Sequence, residues 1–387
     1  MISKVINSNL YGYLALTVIA FGPLLGVLIP LKLSGENIFL IGGLFLLLLK
    51  VIFFTPRLNH IFIILTISIV GLSILLTVIK YQESLMFQNI IEMKFLFVIA
   101  LSSLYFYATY DKYKFFNQIF YTCLTVAIVQ LLAYILFPQI NIDFSSSEPK
   151  LIFDGEKQRY GILGGSYPIY IALNGLFLSV FLNKSIKIQF FTLFVCMLLV
   201  IESANRFGLL GLSLFMIHFF YISIIKGKDQ IFLFVLPLLF LALLPFFETQ
   251  GIIDRVLYST DESIRLQKLL IGIDLVFSQA KGMFFGYPNS YIANFSINNI
   301  VISDNSFIHV LAVGGMITLI FLVLYFVLIT RLSTIKFIYL IMFIFSLFIT
   351  NSILWDYFLL SSIFILMGKD NDFIFSNSSN LQFRSYN

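Results

Sequence analysis

The sequence predicts an all-α, polytopic membrane protein with about twelve transmembrane helices and two long outer loops. Three observations predict it. Hydrophobic residues make up 60% of the 387-residue chain and charged ones 11%, with 46 Phe and 20 Tyr, far above ordinary usage in a soluble domain. Apolar stretches long enough to cross hydrocarbon recur along the whole length. Lys and Arg gather on alternate connections between them.

The stretches are 10–30, 37–54, 60–80, 90–109, 115–137, 167–182, 187–201, 206–225, 230–247, 306–329, 336–350 and 353–367. The last two meet at Thr350, Asn351 and Ser352, so they also read as a single broken helix. One set of alternate loops holds Lys4, Arg57, Lys112, Lys114, Lys184, Lys187, Lys226, Lys228, Arg331, Lys336 and the tail from Lys369. The opposite short loops hold little beyond Lys32, Lys80 and Arg206. The basic side is the cytoplasmic one. Both ends are therefore expected inside, and the long connections 138–166 and 248–305 outside, within one integral membrane domain over 1–387.

Residues 141–159, NIDFSSSEPKLIFDGEKQR, are polar and rich in turn formers. Residues 262–280 instead place Ile264, Leu266, Leu269, Leu270, Ile273 and Val276 near helical spacing, which predicts an amphipathic helix along the outer surface. Long outer loops on a membrane scaffold are where function is expected.

Composition also excludes function classes. The net charge of +5 comes from basic residues set singly in short loops, with no run to line a nucleic acid. Cys123 and Cys196 both fall inside apolar runs and read as core packing. The start MISKVINSN leads into a long apolar segment without a small-residue cleavage site, so the first span is expected to stay. The chain has no GxxxxGK[ST], CxxC or HExxH, so neither ATP coupling, a metal nor another cofactor is expected.

Within this chain, IESANRFGLLG at 201–211 interrupts a run from Ile188 to Ile225 with Glu202 and Arg206. Ile188 to Ile201 covers only roughly 21 Å as a helix. The two charges therefore belong near the outer membrane boundary, where charges usually face a wet cavity. An i, i+4 ion pair on one helix surface is the plainer alternative. Arg159-Tyr-Gly-Ile-Leu-Gly164 echoes Arg206-Phe-Gly-Leu-Leu-Gly211. An arginine opening a helix, with a glycine beside it, suits a phosphate or pyrophosphate. Arg255 and Arg265 of the second outer loop complete a possible anion cradle; ordinary solvated charge is the alternative.

In SDNSFIHVLAVGGMIT, 303–318, a polar cluster opens an apolar helix. Asp304 is the best-placed general base and Asn305 can orient a hydroxyl, while both residues are also good N-caps. His309, one turn in, can take a proton or sit hydrogen-bonded in the core.

A SANRFGLLG hairpin, a long outer loop with an arginine-led amphipathic helix ending in FFGYPNSY, and then DNSFIHVLAVGGMIT resemble the O-antigen polymerase and O-antigen ligase superfamily of bacterial envelopes. The likeness is strongest over 200–330, and the N-terminal half shares mainly hydropathy. Ligases of the superfamily show His, then Asn, Ser or Gln, nine residues, Gly, two residues, and Gly, Thr or Tyr. Asn305, Gly315 and Thr318 fit that spacing, but Asp304 stands where the ligases have histidine, which favours the polymerase branch.

The resemblance implies a glycosyltransferase of the bacterial cytoplasmic membrane with its active site facing outside. It would join undecaprenyl-diphosphate-linked oligosaccharide repeat units, donor and acceptor alike, into O-antigen or capsular chains. A chain-length regulator, a flippase and membrane lipid are the implied partners. Asp304, Glu202 or His309 would take the acceptor proton, and Arg206 with Arg159, Arg255 or Arg265 would neutralise the leaving diphosphate. Tyr160, Phe207 and Tyr287 would stack on sugar or pack against lipid. The competing expectations are ligase-type glycan transfer and a transporter of lipid-linked sugars that binds without chemistry.

Overall fold

The computed structural model describes residues 2–28, 40–47, 60–81, 93–108, 112–137, 140–143, 150–153, 167–203, 205–226, 261–288, 305–330, 334–349 and 356–368, with Leu163, Tyr291, Ile292 and Ser352 besides. Predicted span 230–247 lies outside these residues, as does half of 37–54, of which Leu49 is described besides 40–47.

In chain order the helices are α1 (Ile2–Ala20), α2 (Gly22–Leu28), α3 (His60–Tyr81), α4 (Lys94–Ala108), α5 (Lys112–Leu136), α6 (Tyr167–Phe181), α7 (Ile186–Ser203), α8 (Arg206–Lys226), α9 (Asp261–Phe277), α10 (Ala280–Phe285), α11 (Ser306–Ile329), α12 (Thr334–Ile349) and α13 (Asp356–Met367). Between α5 and α6, in the polar stretch predicted to form turns, β1 (Ile140–Asp143) pairs antiparallel with β2 (Lys150–Phe153), Ile140 opposite Phe153 and Asp143 opposite Lys150. Apart from this hairpin the described elements are helical.

Among the described residues α5, α7 and α11 are long and apolar enough to cross a membrane, and shorter apolar helices lie in α1, α3, α6, α8, α12 and α13.

The core forms around α6 and α13. Every residue of α13 is buried, as is every residue of α6 except Val180. A helix apolar on all faces is either enclosed by protein or faces lipid, and these two are enclosed by protein. α5 and α7 pack on α6, α4 packs on α13, and α13 and α6 meet each other. Phe115, Tyr105 and Phe106 crowd Phe364, the closest pair being Phe115 and Phe364 at 4.7 Å and 88°.

Polar side chains join these helices from within. Asn174 Nδ2 on α6 donates to Ser361 Oγ at 2.8 Å and lies 3.2 Å from Ser362 Oγ, both on α13. Tyr339 of α12 brings its hydroxyl to 2.7 Å from Asn174 Oδ1 and 2.8 Å from Ser362 Oγ. In an apolar bundle such hydrogen bonds act as glue between helices.

The α6–α7 connection shows how local chemistry turns the chain. Asn183 takes φ +46, a left-handed conformation that asparagine tolerates. The Asn183 N–H donates to Val180 O and the Lys184 N–H to Ser179 O, both at 3.0 Å, the Schellman pattern that ends a helix. Lys184 then hydrogen-bonds Asn117 and lies over the Phe120 and Tyr121 rings at 5.1 and 4.9 Å.

Candidate functional site: a broken helix over a basic recess

α11 begins as its sequence predicts. Asn305 is extended at φ −138, and its Oδ1 accepts from the Phe307 and Ile308 N–H groups at 2.9 and 3.1 Å. Its Nδ2 donates to Phe348 O at 2.9 Å, tying the start of α11 to the end of α12. Asn305 therefore acts as the cap, the alternative role noted for it.

Ten residues on, α11 breaks. Gly315 adopts φ 70 and ψ −178, a conformation open to glycine and strained for other residues. Carbonyls just before the break, which a continuous helix would use internally, are met from outside it. The Tyr287 N–H donates to Ala312 O at 2.7 Å, and Lys80 Nζ donates to Val313 O at 3.0 Å. Thr318 Oγ1 donates to Gly314 O at 2.6 Å. These three carbonyls are answered, as burial in an apolar setting requires.

The segment answering it is the end of the 248–305 loop. After α10, Gly286 turns with φ 82. A Cβ there would lie 2.2 Å from Val313 O, and one at Gly315 would lie 2.2 Å from Phe284 O, so the two backbones are in direct contact. Tyr287 packs flat on Tyr291, with centroids 4.9 Å apart and rings 10° from parallel. Its hydroxyl lies within 3.3 Å of Ser278 Oγ, the Gln279 N–H, Gln279 O and Val276 O. Those contacts close the α9–α10 turn and commit Tyr287 to packing in this structure.

α9 covers most of the predicted amphipathic stretch 262–280, starting one residue before it, but its apolar residues divide between two faces. Leu275, with Leu269 and Ile271 beside it, packs with Tyr287, Ile308 and Ala312 against α11. Leu266, Leu270, Ile273 and Phe277 point outward.

Several charged and titratable residues lie at the ends of these helices. Lys80 ends α3, Lys94 opens α4, Asp356 opens α13, and His309 is one turn into α11. Lys94 Nζ pairs with Asp356 Oδ2 at 3.2 Å, with 15% and 6% of their side chains exposed. Lys80 is 9% exposed and donates to Val313 O, one turn along α11 from His309. Among the described residues His309 Nε2 is buried without a hydrogen-bond partner. A buried polar atom left unmatched costs on the order of 1–3 kcal/mol and calls for an explanation.

The remaining sequence candidates separate. Arg159, Tyr160, Arg255 and Asp304 lie outside the described residues, and for Arg206 and Arg265 the backbone alone is described, at the first position of α8 and in the first turns of α9. Glu202, half-buried, sits in the last turn of α7. Because α7 ends at Ser203 and α8 starts at Arg206, Glu202 and Arg206 belong to different helices and make no i, i+4 pair on one helix surface. Asn205 between them caps α8, accepting from the Gly208 N–H at 2.9 Å.

The glycines of RFGLLG serve packing, contrary to the anion-approach reading. A Cβ at Gly208 would meet Val200 at 2.5 Å, and one at Gly211 would meet Leu173 at 2.5 Å. Phe207, 3% exposed, stacks on Tyr170 at 4.1 Å and 7°, which gives it a packing partner inside the bundle. Cys123 and Cys196 are buried and free.

Lys94 and Asp356 were not singled out from sequence, and Lys80 was read only as a loop charge. The available signal was a charge at the very start or end of an apolar segment, a position where an exposed loop serves equally well.

These features define the class: the chain is an α-helical membrane protein. Searched against protein-family models, curated proteins and solved structures, it matches none.

Proposed function

We propose that this protein is a polymerase of undecaprenyl-diphosphate-linked oligosaccharide repeat units, acting at the outer face of the bacterial cytoplasmic membrane. The observation that carries the reading is the contact between two stretches of the resemblance. FFGYP and IHVLAVGG, separate in sequence, lie backbone to backbone across the break in α11, with the buried Lys80 ammonium on Val313 O beside them. Clustered cations at one end of an apolar bundle suit a substrate whose head is a diphosphate.

In this reading the acceptor sugar's hydroxyl oxygen attacks the anomeric carbon of the donor, and the bond from that carbon to the diphosphate oxygen breaks. Asp304, with Glu202 or His309 as alternatives, takes the hydroxyl proton. Arg206, with Arg159, Arg255 or Arg265, neutralises the departing lipid diphosphate. The donor is already activated, so no nucleotide enters. About twelve spans with both ends cytoplasmic would set this site outside. A flippase supplying substrate and a chain-length regulator are the partners it would need.

The test is purified protein in nanodiscs with a lipid-diphosphate repeat unit, its products separated by size, beside Arg206→Ala and Asp304→Asn. The expected result is a ladder of repeat multiples that either change reduces by about 100-fold or more, the scale of a lost charge-stabilising or proton-transfer group. Unextended substrate from folded wild-type protein would sink the polymerase reading, and a ladder untouched by both changes would sink the assigned residues.

A further inference from the structure

We propose that α9 and α10 lie along the surface of the bilayer, with phospholipid covering their exposed apolar face, and that this seat braces the break in α11. The proposal stands whether or not the chain is a polymerase.

The outward face of α11 changes at its break. No residue of 306–316 is exposed, whereas Ile317, Ile320, Val323, Leu324, Val327 and Leu328 beyond it all are. A row of exposed aliphatic side chains on a helix long enough to cross a membrane is a lipid face. That face therefore starts just past Gly315. Before it, α11 is covered by α9 and α10, through Leu275 and Tyr287 packed with Ile308 and Ala312 and through the Phe284 carbonyl set against Gly315. Phe284 is itself exposed, so apolar exterior resumes on α10 where α11 becomes covered.

α9 continues it, and has three sides with three surroundings. At about 100° per residue Leu266, Leu270, Ile273 and Phe277 fall within about 60° of one another. All four are exposed, Phe277 the most at 64%. Leu269, Ile271 and Leu275 pack toward α11. Gln267 and Asp274, seven residues apart and both exposed, form a polar side along the edge of the stripe. A helix with a protein side, an apolar side and a polar side belongs where hydrocarbon meets water. An exposed mid-helix carboxylate is costly in hydrocarbon, so α9 lies along the membrane and not across it.

The turn at Gly286 ties this pair of helices to the break, because the next residue, Tyr287, donates its N–H to Ala312 O at 2.7 Å. Lipid that holds α9 and α10 in place also holds that donor on its carbonyl.

The experiment uses the full chain in phosphatidylcholine nanodiscs with a bimane label at Leu270→Cys or Phe277→Cys on the stripe, and at Gln267→Cys or Asp274→Cys on the polar side. Cys123 and Cys196 are buried, so the label falls on the introduced thiol. Brominated acyl chains should quench the stripe at least about threefold more than the polar side, and aqueous iodide should show the reverse order. Either quencher acting equally at all four positions overturns the lipid seat, and so does a stripe shielded from both, which would mean that a second copy or another protein covers it. The brace is read by hydrogen exchange at the Tyr287 amide in the double change Leu270→Gln with Phe277→Gln. Both side chains are exposed, so packing on α11 is left intact. Exchange should speed up about tenfold as the seat is lost. Exchange at the wild-type rate overturns the brace.

Discussion

The clamp between α6, α12 and α13 and the set of charged residues beside α11 are both polar clusters inside the same apolar bundle, yet they are built on opposite terms. In the clamp, Asn174, Tyr339, Ser361 and Ser362 are all fully buried, neutral and mutually hydrogen-bonded. Beside α11 the groups are charged or titratable, one helix is broken, and His309 Nε2 has no described partner. Polar atoms that satisfy one another hold helices together. Polar atoms left with unspent capacity in an apolar setting have been kept for something else.

The comparison can be broken at several points. The largest effect is expected at the hinge between the two kinds of structure. Gly315→Ala puts a methyl 2.2 Å from Phe284 O at a φ of +70 and should cost about 3 kcal/mol or more, read as loss of monodisperse protein and a lowered unfolding midpoint. Next comes the clamp. Asn174→Leu removes the amide that bonds Tyr339, Ser361 and Ser362, leaving Tyr339 and Ser362 to each other and Ser361 to backbone carbonyls, and should cost on the order of 2 kcal/mol in detergent unfolding. Ser362→Ala removes one partner of three and should cost about 1 kcal/mol by the same measurement. A clamp that tolerates both of these changes without loss of stability would erase the contrast.

Much of the scaffold was legible. Apolar length located α5, α7 and α11 within a few residues, and the polar triplet before Ser306 announced the start of α11, which Asn305 caps. The helix of the 248–305 stretch was visible in its periodicity. Its division into an exposed stripe and one packed on α11 was not, because Leu269 and Leu270 are neighbours in the pattern and face different surroundings.

The site was legible only in part, for a physical reason. Lys94 and Asp356 are 262 positions apart and Lys80 and Val313 are 233 apart, so no local pattern links them. The glycine pair at 314–315 could be seen, but in a membrane helix glycine serves close packing as readily as a break. Gly208 shows the first use and Gly315 the second. What separates them is the backbone conformation, which depends on whether a neighbour such as Tyr287 or Lys80 stands ready to take the freed carbonyls.

The most direct test pairs the two regions in one assay: product ladder length and unfolding midpoint, measured together for wild type, His309→Gln and Asn174→Leu. The account predicts that His309→Gln keeps its midpoint and loses elongation, while Asn174→Leu loses its midpoint and its remaining folded fraction still elongates. His309→Gln elongating at the wild-type rate, or falling in stability as Asn174→Leu does, would contradict it.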